Sequence, residues 1–224
     1  MDNILDFIRT ISMTIGTGAT VIGGYFVYQN LLVNQRKLLT DRFSDAVKLF
    51  GTEDNRTVRL AGIYALSNIA KDSPEYHWLV MKVIASFIRN RDLEFLPLPL
   101  GDINREGYPR VYSEIQEAIT VIAQRNFKYD VSGETLNLSN SSFFRANLTG
   151  ANFRKVNLRD ANFGRTHLKG VDFSGANLEK ANFLEADLSG AILKEANLKN
   201  TTYCNKTKFP SNFDPVEAGM KKNG

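Results

Sequence analysis

Residues 161–198 read ANFGRTHLKGVDFSGANLEKANFLEADLSGAILKEANL, and Phe or Leu returns at every fifth position of this stretch. The position two residues before each Phe or Leu holds Ala, Val or Thr, and the residue between them is usually Asn or Asp. A period of five fits neither an α-helix, which repeats every 3.6 residues, nor a β-strand, which repeats every two. The stretch therefore predicts a solenoid in which five residues form one short side and turn a corner.

The five-residue pattern continues outward from this stretch for fourteen units without an insertion. Gly150, Gly170 and Gly190 lie twenty residues apart, and a corner with a positive φ favours glycine at the same place in each coil. Four units therefore make one coil, in which phenylalanines twenty residues apart stack in columns. We predict that the residue at the centre of each unit points inward: Leu138, Phe143, Leu148, Phe153, Leu158, Phe163, Leu168, Phe173, Leu178, Phe183, Leu188, Leu193, Leu198 and Tyr203.

This pattern closely resembles that of the pentapeptide-repeat family, A-(D/N)-L-x-x, over residues 134 to about 208. The resemblance implies a right-handed quadrilateral β-helix. Residues 40–89 and 114–125 are also similar to a bacterial subgroup of the family, which has an apolar N-terminal segment and a HEAT-like helical domain. The repeat departs from the family unit at five positions: Val156, Thr166, His167, Val171 and Ile192.

The predicted fold is mixed α and β, with an N-terminal helix, a small helical bundle and then the right-handed quadrilateral β-helix, a pentapeptide-repeat solenoid. We expect the helical part to cap the first coil, because an open solenoid end exposes unpaired backbone groups. The predicted boundaries are residues 1–35 for an anchor helix, 36–130 for the HEAT-like helical domain, 134–208 for the β-helix, and 209–224 for a C-terminal cap and tail.

Capping signals and periodicity locate the helices of residues 36–130. Thr40 is a candidate N-cap of a helix that ends at Gly51, and Ser73 followed by Pro74 predicts the start of another helix. Residues 92–112 contain three prolines and two glycines and predict a loop. The inward residues predicted for three successive helices are Val58, Ala61, Ala65 and Ile69; Trp78, Val80, Met81, Val83, Ile84, Phe87 and Ile88; and Ile115, Ile119 and Ile122.

Residues 10–35 contain no charged side chain, and about 20 apolar residues suffice to span a bilayer. We therefore predict a single transmembrane helix. Arg36, Lys37 and Arg42 follow it and place the C-terminal domains in the cytoplasm of a bacterium, at the inner membrane. The alternative is a buried or dimerising helix in a soluble protein.

Small residues spaced four apart form a candidate helix-association face: Ser12, Gly16, Thr20 and Gly24. Such a face allows two helices to approach closely, so a homo-oligomer is possible.

Single residues give no indication of catalysis. Cys204 is the only cysteine and has no neighbouring base, and His77 and His167 are too few for a metal site. Motifs for phosphate binding, zinc proteases or serine hydrolases are absent from the sequence. We predict no catalytic residue, no metal and no cofactor, and hence a protein that is not an enzyme.

The basic excess of the chain lies on the repeat, where residues 134–208 contain 11 Lys or Arg and 7 Asp or Glu. This excess is too small to indicate a nucleic-acid partner. An acidic protein or anionic lipid headgroups fit it better, and the alternative is a solvated face that prevents aggregation. The candidate basic interaction face comprises Arg145, Arg154, Lys155, Arg159, Arg165 and Lys169.

These features predict a membrane-anchored, non-enzymatic scaffold whose cytoplasmic β-helix presents binding faces to a protein partner that the sequence does not identify. An oligomerising membrane effector in stress or phage defence is one alternative. A second is a DNA mimic that binds gyrase, as some pentapeptide-repeat proteins do, but that mechanism needs an acidic rod. The basic charge of residues 134–208 argues against it.

Overall fold

The computed structural model of the chain describes residues 6, 9, 18–52, 55–90 and 113–223. The helical elements precede a long five-residue repeat, which confirms the predicted mixed class with a helical part before a solenoid. The loop predicted at residues 92–112 lies outside the described residues. In chain order the elements are α1 (Gly18–Phe50), α2 (Arg56–Asp72), α3 (Pro74–Arg89), α4 (Ser113–Ala123), a 3-10 helix (Phe127–Tyr129), β1 (Thr202–Tyr203) and β2 (Lys221–Lys222).

Helix α1 is continuous over 33 residues and passes through the predicted boundary at residue 35. Thr40 lies inside this helix, so its prediction as an N-cap was wrong. Its hydroxyl donates to the carbonyl oxygen of Arg36 at 2.9 Å, which is the bond that threonine makes within a helix. The same hydroxyl lies 2.8 Å from the hydroxyl of Tyr76, so Thr40 joins α1 to α3.

Among the described residues, no helix combines the length and the apolar character needed to cross a bilayer. The predicted transmembrane helix, and with it a single-pass protein of the bacterial inner membrane with cytoplasmic C-terminal domains, was therefore wrong. Residues 18–35 contain three glycines and four Asn or Gln residues, which dilute the apolar residues there. Amide side chains are costly to transfer into hydrocarbon, and charged residues begin at Arg36.

Helix α2 begins after Asn55, whose side-chain oxygen accepts a hydrogen bond from the Val58 N–H at 3.1 Å. Its predicted inward face was wrong by about one residue of rotation, since Ala61 is exposed and only Ile69 of that set is buried. The reason is a close crossing with α1, where a Cβ on Gly62 would lie 2.4 Å from the Phe50 backbone nitrogen. The buried residues of α2 are Arg59, Gly62, Ile63, Leu66, Ile69 and Ala70.

Most inward residues predicted for α3 and α4 are confirmed. In α3, Val83 and Phe87 are half-buried and the other predicted residues are buried. The three isoleucines predicted for α4 are fully buried. A buried ion pair links α2 to α4, because Arg59 Nη2 lies 3.3 Å from Glu114 Oε1.

The repeat folds into stacked coils of twenty residues, as the glycine spacing predicted. Parallel bridges between residues about twenty apart form four columns, which begin at residues 137, 142, 147 and 152. Backbone hydrogen bonds connect successive coils in each column. The Phe163 N–H donates to the Asn182 carbonyl at 2.7 Å, and the Asn162 N–H donates to the Ser141 carbonyl at 2.9 Å.

Side chains fill the interior of the coils. The eleven central residues from Leu138 to Leu188 are at most 2% exposed, and the small residues two positions before them are also buried. Phe163 stacks on Phe143 at 4.8 Å and on Phe183 at 5.1 Å between ring centroids, with nearly parallel planes. The predicted aromatic columns are therefore confirmed. Phe173 belongs to the second column and meets Phe163 edge-on at 5.6 Å.

The corners adopt left-handed backbone conformations at every fifth residue. Gly150, Gly170 and Gly190 have φ of 69°, 64° and 71°, as predicted from their spacing. The prediction was incomplete, however, because the conformation occurs two residues after each centre from Leu138 to Leu198 and not once in each coil. It costs a non-glycine residue roughly 1–2 kcal/mol, which the repeated bonds between coils offset. Nine corners hold other residue types: Asn140, Arg145, Lys155, Asp160, Arg165, Lys180, Glu185, Glu195 and Asn200.

Candidate interaction surfaces

Most Asn and Asp side chains that precede the central residues bond to the coils themselves. Each accepts a hydrogen bond from the backbone N–H two residues later, as Asn157 does from Arg159 at 3.2 Å. The amides also bond along a column, since Asn157, Asn177 and Asn197 each donate to the asparagine one coil earlier at 3.1–3.3 Å. The preference for Asn at this position therefore has a structural cause, so the corner residues are the better candidates for contacts with a partner.

The structure distributes the six residues of the candidate basic face around the solenoid. Residues twenty apart share a column, so Arg145 and Arg165 lie at one corner, as their spacing predicts. The other four residues lie at the remaining three corners: Arg154 with Lys155, then Arg159, and then Lys169. A role of these residues in binding stays a prediction.

Carboxylates of the repeat pair with at least four of the six basic residues. All four of these pairs connect adjacent coils over at least eighteen residues of sequence and so add to the cohesion of the stack. The shortest nitrogen–oxygen distances between coils are 3.2 Å for Arg154 to Asp172, 3.3 Å for Arg159 to Glu179, 3.1 Å for Arg165 to Glu185 and 3.7 Å for Lys169 to Asp187.

Two of these carboxylates are held in their charged form. Desolvation raises the pKa of Asp172, but hydrogen bonds from Ser174 and the charge of Arg154 outweigh it and lower the pKa below its ordinary value. Asp187 shows the same balance, with desolvation opposed by hydrogen bonds from Ser189 and by nearby lysines, and its pKa is also lowered. Both aspartates are therefore ionised at neutral pH and bind their neighbours as anions.

The helices close the N-terminal end of the solenoid, because they supply the hydrogen-bond donors and acceptors that a preceding coil would provide. Gln116 of α4 is the clearest case, because its side-chain amide matches a peptide group. Its Nε2 donates to the Asn147 carbonyl at 2.9 Å, and its Oε1 accepts from the Asn147 N–H at 3.1 Å. This N-terminal cap confirms that the helical part covers the first coil.

Two arginines and one backbone group complete the N-terminal cap. Arg89 donates to the Asn137 carbonyl at 2.6 Å, and the Asn152 N–H donates to the Ala123 carbonyl at 2.8 Å. Arg125 donates to the carbonyls of Asn152 and Arg154. Burial lowers the pKa of the Arg125 guanidinium, and Asp130 at 3.2 Å opposes that effect. Sequence reasoning missed these residues, since only their polarity near the apolar residues of α3 and α4 distinguishes them.

Residues 208–223 cover part of the C-terminal end. Strand β2 pairs in parallel with β1, which adds one further extended segment to that column. The ring of Phe209 meets Tyr203 at 5.4 Å and Phe213 at 5.3 Å, in the segment predicted to form the C-terminal cap.

The candidate helix-association face lies mostly outside the residues that can be described. Ser12 and Gly16 are outside them, and Thr20 lies in α1. A Cβ on Gly24 would meet nothing within 4 Å, so the described residues supply no neighbour there. Homo-oligomer formation through this face stays a prediction.

The histidines and the cysteine are scattered. His77 is buried, its Nδ1 donates to the Ala70 carbonyl at 3.0 Å, and its ring meets Tyr129 edge-on, which agrees with a structural role. His167 lies exposed on the solenoid. Desolvation raises the pKa of the Cys204 thiol, but backbone N–H groups of Lys206 and Glu185 outweigh it and lower the pKa. Among the described residues, no three His, Cys, Asp or Glu side chains lie close enough to hold a metal ion.

The coil register, the filled interior and the helical cap define a β-helix-like solenoid with a helical N-terminal end. Residues 136–213 match the family model for the pentapeptide repeat region, and over this part the chain belongs to the pentapeptide-repeat family. Among curated proteins, no sequence match to the chain was found.

Several crystal structures of pentapeptide repeat proteins are similar to the chain. One from the cyanobacterium Nostoc is 27% identical, with 40% of this chain and 86% of that one covered and a TM-score of 0.26. One from the thylakoid lumen of Arabidopsis thaliana is 22% identical, with 38% and 56% covered and a TM-score of 0.30. One from the cyanobacterium Cyanothece is 31% identical, with 33% and 53% covered and a TM-score of 0.24. The chain thus spans about half the length of the latter two.

Proposed function

We propose that the chain is a non-enzymatic scaffold that binds other proteins through the outer surface of a right-handed quadrilateral β-helix. The observation that carries this proposal is the filled interior, where the central residues from Leu138 to Leu188 are at most 2% exposed. The repeat therefore acts through its outer side chains. Four columns of parallel bridges support the quadrilateral form, and membership of the family supports interaction with proteins rather than catalysis.

The partner is an acidic protein surface, and the corner arginines are its contact points. Arg159 and Arg165 are each about 40% exposed in their ion pairs, at 44% and 36% of the side chain. Exposed pairs of this kind contribute about 0–1 kcal/mol, so a carboxylate of the partner can replace the internal one at little cost. Arg145 stacks over the Phe144 ring at 5.1 Å, which holds its guanidinium at the same corner as Arg165.

The test is affinity capture with chemical cross-linking, using the full chain and a variant with Arg145→Gln, Arg159→Gln and Arg165→Gln. Glutamine removes the charge without placing a second carboxylate beside Glu179 or Glu185, as a reversal to glutamate would. We expect cross-links between acidic residues of a partner and the solenoid in the wild type, and at least a tenfold loss of that partner in the variant.

A matched control removes three exposed cations from the helical part through Arg42→Gln, Lys71→Gln and Lys128→Gln. This control changes the net charge by the same amount, so it should retain the partner. Equal recovery of the partner by all three proteins would show that the corner arginines do not bind it. Cross-links confined to the helices would contradict the scaffold role of the solenoid.

A further inference from the structure

The C-terminal edge of the solenoid is covered unevenly by the end of the chain. The Leu188 N–H donates to the Lys208 carbonyl at 2.8 Å, and the Lys208 N–H donates to the Ala186 carbonyl at 2.9 Å. Next along the coil, the Asn200 N–H donates to the Gly219 carbonyl at 3.0 Å, and the Lys221 N–H donates to the Thr201 carbonyl at 2.7 Å. Within residues 113–223, no such segment pairs with the part of the last coil between these two covered regions, residues 191–198. We call residues 191–198 the open edge.

The repeat register shows which backbone groups the open edge presents. One coil earlier, the Phe173 N–H donates to the Ile192 carbonyl at 2.8 Å and the Gly175 N–H donates to the Lys194 carbonyl at 2.9 Å. The equivalent donors on the open edge are the N–H groups of Leu193 and Glu195. Within residues 113–223, neither group has a hydrogen-bond partner. The edge therefore presents donors with the spacing that an added coil requires.

The open edge exposes two apolar side chains at positions where earlier coils have a polar residue or a fully buried one. Ile192 is 49% exposed and takes the place of Asn152 and Asp172 in its column. Leu193 is half-buried, whereas Phe153 and Phe173 in the same column are fully buried. Open sheet edges with exposed apolar side chains readily pair with another extended chain.

We propose that the open edge binds an extended acidic peptide segment of a partner protein, which adds one parallel side to the last coil. The chain already accepts its own extended segments in this way at Lys208 and at β2, so the geometry of addition exists in the fold. Residues 194–223 contain six lysines and three acidic residues, which favours a peptide of negative charge. This inference rests on the proposed scaffold function but concerns a separate surface.

A second copy of the chain fits the open edge less well than a peptide does. Stacking of one solenoid end on the other is blocked, because α4 and the two capping arginines already bind the first coil. Stacking of two C-terminal ends would bring two basic surfaces together, and like charges repel. An acidic peptide meets neither obstacle.

The probe is a synthetic peptide with the sequence of residues 171–179, VDFSGANLE, which carries two negative charges and the residue pattern of a coil side. Amide hydrogen exchange by NMR on the full chain measures its binding at the edge. We expect the Leu193 and Glu195 amides to exchange rapidly in the free chain and at least tenfold more slowly with the peptide. The Phe173 and Gly175 amides, which are bonded to the last coil, should be protected in both states.

The matched variant is Ile192→Asp, which has the residue type of Asp172 in the same column and so suits the coil, but places a carboxylate against the aspartate of the peptide. It should weaken binding of the peptide at least tenfold, and a peptide of the same composition in scrambled order should not protect the amides. Protection of Leu193 and Glu195 in the free chain that rises with protein concentration would show that a second copy occupies the edge and would overturn the proposal. Equal binding by wild type and Ile192→Asp would also overturn it.

The variant with Arg145, Arg159 and Arg165 replaced by glutamine separates this inference from the proposed function. It should bind the peptide as the wild type does, because those residues lie away from the open edge. If the peptide fails to bind while the acidic partner is still captured through the arginines, only the edge proposal fails. If the peptide binds and the arginine variant still captures the partner, only the basic contact surface fails.

Discussion

Replacing Phe163 with alanine should destabilise the solenoid strongly, because this ring lies at the centre of its aromatic core. Phe163 is fully buried and contacts three other rings: Phe143 at 4.8 Å, Phe183 at 5.1 Å and Phe173 at 5.6 Å. Truncation of a buried phenylalanine to alanine costs about 3–5 kcal/mol, which includes the cavity left behind. For a chain of this size each kcal/mol lowers the midpoint of thermal unfolding by about 2–4 °C, so we expect a fall of about 6–20 °C.

Urea unfolding followed by far-ultraviolet circular dichroism measures the loss in free energy of unfolding. Fluorescence of Trp78, the only tryptophan, gives a second signal, which reports on the contact between α3 and the start of the solenoid. Its indole N–H donates to Glu134 at 2.7 Å. Separate transitions by the two signals would show that the helices and the solenoid unfold independently. The free energy would then be taken from the transition of the solenoid.

Two further variants show whether volume or ring stacking contributes most. Phe163→Leu keeps most of the volume and places the residue type of the Leu168 column in the Phe column, so it should cost about 1–2 kcal/mol. Leu193→Ala, at a half-buried central residue of the last coil, should cost less than Phe163→Ala. A cost below about 1 kcal/mol for Phe163→Ala would refute the tightly packed core. Equal costs for the alanine and leucine variants would refute the argument that volume dominates.

Two more predictions concern the helix crossing and the response to pH. Gly62→Ala should lower the free energy of unfolding by about 1–3 kcal/mol, because its Cβ would lie 2.4 Å from the Phe50 backbone nitrogen. Gly23→Ala, where a Cβ meets nothing within 4 Å, should instead stabilise α1 by up to about 1 kcal/mol, and comparison of the two thermal midpoints checks both. The pKa values of Asp172 and Asp187 are lower in the folded protein than in the unfolded chain, where aspartate has a pKa of about 3.9. These carboxylates therefore stabilise the fold above that value. The stabilisation is lost as the pH falls through the lower pKa values of the folded state. A variant with Ser174→Ala and Ser189→Ala should be less stable than the wild type at pH 7, and the gap should narrow as both carboxylates become protonated. A gap that stays constant in unfolding experiments down to about pH 2 would show that the serines act independently of the aspartate charges.

Local repetition explains why the solenoid was predictable in detail. Each unit contacts mainly the units one coil before and after it, so the same residue types recur at positions such as Phe143, Phe163 and Phe183. The twenty-residue coil and the stacked rings follow from that recurrence. The left-handed corners at Arg145, Lys155 and Glu185 did not follow, because only bonds between coils show that non-glycine residues adopt the conformation there.

The helical part was less predictable because its contacts are not repeated. Periodicity identified α2 but rotated its buried face, since the crossing with α1 at Gly62 is a property of two helices together. The absence of charge in residues 10–35 suggested a membrane anchor, yet no described helix meets the requirement for a span. The absence of charge does not reveal that glycines and amide side chains lower the hydrophobicity of this stretch.

The sequence by itself determined the period, the inward residues and the coil length of this protein, because in a solenoid each of these depends on neighbours at a fixed separation along the chain. Only the tertiary structure decided how the two ends are treated. Gln116 closes the first coil from a helix 31 residues away, and no segment within residues 113–223 covers the side at Leu193. The ends break the repeat, so their backbone groups depend on partners that no periodic pattern specifies.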